Sequence, residues 1–247
     1  MKFYRIPSDV RILFFVLSFM ITGMSFAQDS EIEERFGGKD KLRYKVSFNG
    51  IPSGYIQWNY LGQKKVNGKE AAILKVTSDA KILGFLDITS EEVVYLATES
   101  FLPLKVERDL SVFGKEETIT EIYNQDEGYI KIVKVSDGQK NVNKIEQASP
   151  IHNVLALIYF FPEGIDLKDE EWKVFNLPTR KLRIKMVEER VLNTPRGKED
   201  TYFLLGRGGK RFSLWLDKET LLPLRLEYVF LLGKVIIIYQ GPQSQGS

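Results

Sequence analysis

The decapeptide Lys41-Leu42-Arg43-Tyr44-Lys45-Val46-Ser47-Phe48-Asn49-Gly50 decides the fold class. Leu42, Tyr44, Val46 and Phe48 alternate with Lys41, Arg43, Lys45 and Ser47. Successive side chains of a strand point to opposite faces, so period two describes a strand with one buried and one wet face. Asn49-Gly50 then reverses the chain, as that pair does in tight hairpins. The same pattern recurs outward along the chain. Leu182, Ile184 and Met186 alternate with Lys181, Arg183 and Lys185; Phe212, Leu214 and Leu216 with Arg211, Ser213 and Trp215; and Leu224, Leu226, Tyr228 and Phe230 with Arg225 and Glu227 between. Turn signals separate the runs at Asn67-Gly68, Asp126-Glu127-Gly128, Asp137-Gly138 and Gly208-Gly209. The expectation is a mainly β chain: a large curved antiparallel sheet, half-barrel or open barrel, of about 12–14 strands.

One stretch breaks the alternation. After Ser149-Pro150, Ile151, Val154, Leu155 and Ile158 keep helical spacing until Pro162. This predicts a central helix over 150–161, with Ser149 as its cap, plugging the sheet. Asp29–Arg35 is a weaker helical candidate, and the chain ends on a polar tail, 242–247.

The chain also repeats itself. Residues 95–107, YLATESFLPLKVE, match residues 215–227, WLDKETLLPLRLE, with six identities in thirteen positions. Each copy reads as strand, tight connection, strand, with proline entering the second strand, where its missing N–H does no harm. Two similar half-sheets flanking the helix, fused into one domain over 28–241, are expected.

Residues 1–27 read as a secretory signal peptide. Lys2, Arg5 and Arg11 precede the apolar run Ile12–Ile21, and the segment leaves through Ser25-Phe26-Ala27. Cleavage is predicted after Ala27. The apolar run is too short for a membrane span, which needs about 20 residues, so no transmembrane span is expected after cleavage, and the location implied is periplasmic. Removing three basic and one acidic side chain leaves 32 of each sign. A neutral mature chain argues against nucleic acid as a partner.

Absence of cysteine excludes a disulfide framework, thiolate metal sites and a cysteine nucleophile, and a single histidine, His152, excludes two-histidine chemistry. His152 reads as helix surface or a capping contact. Ser78-Asp79-Ala80-Lys81 fits Ser-x-x-Lys by chance, since it follows a strand rather than sharing a helical turn. The acidic pairs Glu91-Glu92, Glu116-Glu117 and Glu188-Glu189 straddle opposite strand faces and read as solvated. Gly206-Arg207-Gly208-Gly209-Lys210-Arg211 offers cations for an anionic headgroup, but reads more simply as a hairpin turn with solvated basic residues. No cofactor or metal is implied. The aromatic residues Tyr44, Phe48, Trp58, Tyr60, Trp215 and Tyr228 all fall in strand-like runs. They are the candidate lining for a hydrophobic or lipid-like ligand on a concave sheet face, the alternative being that they fill a core.

Four stretches carry a resemblance. They are 42–54 (LRYKVSFNGIPSG), 152–159 (HNVLALIY), 193–198 (NTPRGK), and 214–217 (LWLD) running on to 222–225 (LPLR). In that order and spacing they resemble the domain-of-unknown-function 3108 family, whose members are exported bacterial proteins without established catalytic residues. The strand–Leu-Pro-Leu–strand unit is also similar, in architecture, to periplasmic lipoprotein-carrier and related lipid-binding folds, which implies a curved sheet closed by helices. The functional expectation is an exported, non-enzymatic protein that binds a hydrophobic or lipid-like ligand. The alternative is a structural or protein-interaction module of the cell envelope with an envelope protein partner, and a hydrolase is the lesser third.

Overall fold

The computed structural model describes residues 41–82, 86–159, 171–230 and 233–242. The signal peptide, the candidate helix over 29–35 and residues 243–247 lie outside them. Within them the chain forms β1 (Lys41–Phe48), β2 (Ile51–Val66), β3 (Lys69–Ile82), β4 (Leu86–Ala97), β5 (Pro103–Val112), β6 (Lys115–Asn124), β7 (Tyr129–Ser136) and β8 (Gln139–Glu146). A short helix, α1 (Val154–Tyr159), follows. The chain then continues through β9 (Lys173–Leu177), β10 (Arg180–Thr194), β11 (Gly197–Arg207), β12 (Arg211–Asp217), β13 (Pro223–Phe230) and β14 (Gly233–Pro242). All belong to one antiparallel sheet in the order β8-β7-β6-β5-β4-β3-β2-β1-β14-β13-β12-β11-β10-β9. The mainly β reading holds, with strand number at the upper end of the expected range. β14 extends through Gly241 and Pro242, which pair with Arg43 and Leu42.

The turns obey their chemistry. Asn49-Gly50, Asn67-Gly68 and Asp137-Gly138 each hold two successive residues at positive φ, the geometry whose twist matches that of the flanking strands. Gly54 is required for a different reason: at φ 155° a Cβ there would stand 2.0 Å from the Asp79 carbonyl oxygen of the neighbouring strand.

The order of strands implies curvature. Laid flat at about 4.8 Å per strand, fourteen strands would span roughly 60 Å. Yet the segment after β8 touches β9: Gln147 Nε2 donates to the Leu177 carbonyl at 2.8 Å, and Asn176 Nδ2 to the Ala148 carbonyl at 2.9 Å. The sheet must therefore curl until its two edges nearly meet. β8 and β9 do not pair with each other. A strap, residues 147–152, bridges the seam. On one side Gln125 accepts the Ile151 N–H at 2.9 Å and donates to the Ile151 carbonyl at 2.8 Å. On the other, the His152 N–H donates to the Asn176 carbonyl at 2.8 Å.

The strap corrects the predicted helix start. Ser149 caps nothing; its hydroxyl bonds the Gln125 carbonyl at 2.8 Å. The cap is Asn153, whose Oδ1 accepts the N–H groups of Leu155 and Ala156 at 2.7 and 3.3 Å. Ser149, Ile151 and His152 are engaged by hydrogen bonds to the two sides of the seam, so the helix begins after them.

Inside the curl lies one apolar core, shared by Leu42, Phe48 and Trp58 from the first strands, Leu155 and Leu157 of α1, and Leu214, Leu226 and Ile237 from the last. The sequence repeat is a structural one. Ala97 and Asp217 each accept the N–H of a residue four positions on (Phe101, 2.8 Å; Leu221, 3.0 Å) and donate to Leu102 and Leu222. Phe101 and Leu221 share a left-handed backbone, φ 49° and 55°. The same bulge follows, between Tyr95/Leu96 in one copy and Trp215/Leu216 in the other. β1–β6 and β9–β14 thus run round the curl in the same sense, and β7, β8, the strap and α1 sit between them.

Candidate functional site

Two regions of the curl are candidates: the interior, with its aromatic residues, and the seam. Tyr44, Phe48, Trp58 and Tyr228 are all buried in the common core, and Tyr60 packs against it partly buried. The Tyr44 ring lies 5.3 Å from that of Tyr239, itself buried. Trp215 is buried too, 8% exposed and part of the same apolar cluster, but it reaches that cluster from the other side of its strand. It alternates with the fully buried Leu214 and Leu216, so its indole points to the other face of the sheet. There it meets Phe203, with centroids 4.8 Å apart, under the guanidinium of Arg225. Tyr95, its counterpart in the first repeat, lies beneath Lys105 in the same manner and donates to Glu107 at 2.8 Å. Of the six predicted residues, four share the interior, one borders it, and Trp215 belongs to an outer cation-capped pair.

The seam holds the buried polar cluster. Glu92 of β4 and Arg108 of β5 are direct cross-strand partners, with Nε to Oε2 at 2.5 Å. Arg108 Nη1 also stands 3.8 Å from Glu121 Oε1 of β6. Tyr123, two residues on, donates its hydroxyl to Glu121 Oε2 at 2.5 Å, and the side chain of Asn153, the α1 cap, is hydrogen-bonded to Tyr123. Burial opposes the Arg108 charge, but the charge and hydrogen bond of Glu92, with Glu121 behind them, outweigh it and hold the guanidinium above its ordinary value. Burial, reinforced by Glu121, pushes the Tyr123 phenol well above its own. The cluster therefore acts as an ionic clamp between the wall of the curl and the start of α1. Beside it, Arg108, Glu121, Ile132, Val154, Leu177 and Pro178 line a cavity of about 90 Å³.

Two expectations change here. Glu92 is not solvated: it is 3% exposed. The signal was its parity, since Ile88, Val94 and Leu96, two and four residues away on β4, are all buried; Arg108 likewise shares parity with Val106 and Val112. His152 is not helix surface. It is 9% exposed, with its ring edge-on to Phe175 at 5.4 Å, and burial lowers its pKa to about 4. It lies in the strap, which local periodicity gave no means of recognising.

A family model described as "Protein of unknown function (DUF3108)" matches residues 43–238. The chain belongs to that family. No curated protein matches it. Among solved structures, the DUF3108 chain is similar to a β-barrel-like protein of domain of unknown function DUF1849 from Brucella abortus, with 6% identity, 81% of this chain and 95% of that one covered, and a TM-score of 0.52. At that identity the likeness concerns the fold alone, and it agrees with a curled sheet whose edges nearly meet. A "putative lipoprotein" from Parabacteroides distasonis also aligns, with 8% identity, 90% and 97% covered and a TM-score of 0.29, which carries no argument. The four stretches singled out in the sequence fall wholly or almost wholly within the matched span.

Proposed function

We propose that this DUF3108 chain is an exported, non-catalytic protein of the cell envelope that works through the outside of its curled sheet. The observation that carries the reading is the filled interior: Tyr44, Phe48, Trp58 and Tyr228 are buried against α1 and their neighbours in one core. The seam cavity of about 90 Å³ is well below the roughly 300–1,000 Å³ of ordinary ligand pockets. The buried carboxylates are engaged by Arg108 and Tyr123, which suits a clamp better than proton transfer. The basic, apolar and small-residue segments of 1–27 support export. The outer surface also offers β8 as a sheet edge, its side chains almost all exposed, a template on which an extended partner segment can add a strand.

A second reading keeps the hydrophobic or lipid-like ligand. It is favoured by the apolar part of the cavity lining, Ile132, Val154, Leu177 and Pro178. Native mass spectrometry of the protein isolated from its own envelope separates the two. The outward-facing reading expects the bare mass, and a stoichiometric co-purifying amphiphile overturns it in favour of the second.

A further inference from the structure

Several cations on the outside of this sheet are matched across or along the strands. Lys75 pairs with Glu91, Lys105 with Glu107, Lys134 with Glu117, Arg190 with Glu188, Lys218 with Glu189 and Arg225 with Glu227. One place sets unmatched cations directly against each other. Arg183 of β10 is the direct partner of Arg207 on β11, and Arg207 is the direct partner of Arg211 on β12. Directly opposed side chains start about 5 Å apart, and like charges so placed destabilise a sheet. Lys181, two residues before Arg183, points to the same exposed face, and Lys210 joins from the β11–β12 turn. These five side chains and Gly209 line one open pocket of about 420 Å³, with no carboxylate in its wall. Among the described residues none of the five has an ion pair; Arg207 has only the face of Trp172, 4.7 Å from its guanidinium carbon.

The turn beneath the pocket is held in place. Arg180 Nη1 donates to the Gly208 carbonyl at 2.6 Å, and the Gly208 N–H to the Lys210 carbonyl at 3.1 Å. Gly209, at φ 94°, takes a conformation that side chains rarely adopt. The cations therefore sit on a fixed frame, where little ordering remains to be done on binding. Chain neutrality hides the cluster, since carboxylates elsewhere on the chain balance these five in the total without standing near them.

We infer that this row is a binding site for a phosphate-bearing ligand carrying two or more negative charges. Planar guanidinium forks match phosphate oxygens two at a time, and adjacent forks suit more than one phosphoryl oxygen pair. The ligand supplies the charge that the sheet lacks. Val174, opposite Arg183 on β9, and Leu205, two residues from Arg207, are exposed beside the row, so an anionic lipid headgroup and a soluble phosphate are both admitted as sources. The inference goes beyond the outward-facing reading and does not depend on the interior.

The test uses the full mature chain, with Arg207→Gln to remove the cation shared by both opposed pairs and Lys131→Gln, on the exposed side of β7, as control. Inorganic pyrophosphate is titrated by calorimetry, and vesicles of phosphatidylcholine with and without cardiolipin, whose headgroup carries two phosphates, are sedimented with the protein. Wild type and Lys131→Gln should bind pyrophosphate, the anionic vesicles, or both, and Arg207→Gln should lose at least about tenfold in affinity. Pyrophosphate alone marks a soluble ligand, and vesicles alone mark a headgroup. Without ligand, Arg207→Gln should melt at or above the wild-type temperature, because it relieves repulsion. Binding unchanged in Arg207→Gln, or no binding of either probe by wild type, overturns the inference.

Discussion

Replacing Arg108 by methionine tests the clamp most directly. The side chain fills similar space but removes the charge between Glu92 and Glu121, whose side chains are 4% and 11% exposed. Breaking a buried ion pair from one side costs about 3–5 kcal/mol, because the remaining charges stay buried uncompensated. That is a large share of the roughly 5–15 kcal/mol that holds a domain together. For a chain of this size each kcal/mol moves the melting temperature by about 2–4 °C, so the expected loss is roughly 6–20 °C at neutral pH. The sign of the pH dependence follows. Without the cation, two neighbouring carboxyls are eased by taking up a proton in the folded state, so the variant binds more protons folded than unfolded. Its deficit against wild type should narrow as the pH falls toward about 5. Urea midpoints at several pH values measure this. Adding Glu92→Leu should recover part of the loss, as apolar replacement of a buried pair does. A deficit below about 1 kcal/mol that is flat with pH would refute the clamp and make Arg108 a surface cation.

Two further predictions follow from buried and strained positions. His152 is the chain's single histidine, so its carbon-bound ring protons can be followed alone by NMR; they should titrate near pH 4. The unfolded chain takes up that proton near pH 6.5, so stability is full above that value and falls by up to about 3 kcal/mol as the pH drops toward 4; His152→Phe should flatten this slope, and a titration near 6.5 would place the ring in water. The two repeat hairpins predict a contrast at their left-handed residues. Phe101→Gly should cost roughly 3–5 kcal/mol, because the ring is 3% exposed. Leu221→Gly, at a half-buried site, should stay within about 1 kcal/mol, as backbone relief offsets lost contact; equal losses in the two thermal melts would count against equivalent hairpins with unequal burial.

The strands and the repeat were legible because their causes are local. Alternation at Leu42–Phe48 needs only the pleat, and the 95–107/215–227 match carried its bulge, left-handed residue and hydrogen bonds into the structure intact. What escaped was set by register between distant segments. Glu92 looked solvated beside Glu91 until the pairing with Arg108 put both on the inner face, although parity with its apolar neighbours already pointed there. Trp215 had the parity of Ser213 and Arg211, which placed it outside. The strap borrowed helical spacing from Ile151, but its backbone partners, Gln125 and Asn176, lie 26 and 25 residues away. The five unmatched cations were visible one by one in the sequence; only strand order set three arginines in a row.

The pairing of β1 with β14 also has a consequence for the order of assembly. Every other neighbour in the sheet follows directly in the chain, so hairpins can form as soon as their two strands exist, whereas Leu42 meets Pro242 only after everything between them has been made. Until then the first strand presents an unpaired edge with an apolar face, and so does each partial sheet built on it. Closing that long loop adds only a slowly growing entropic cost, but it comes last and slowly. The nascent chain is therefore most exposed to misassociation just before its final strand arrives, and a truncation that removes β14 should be more harmful than its ten residues would indicate.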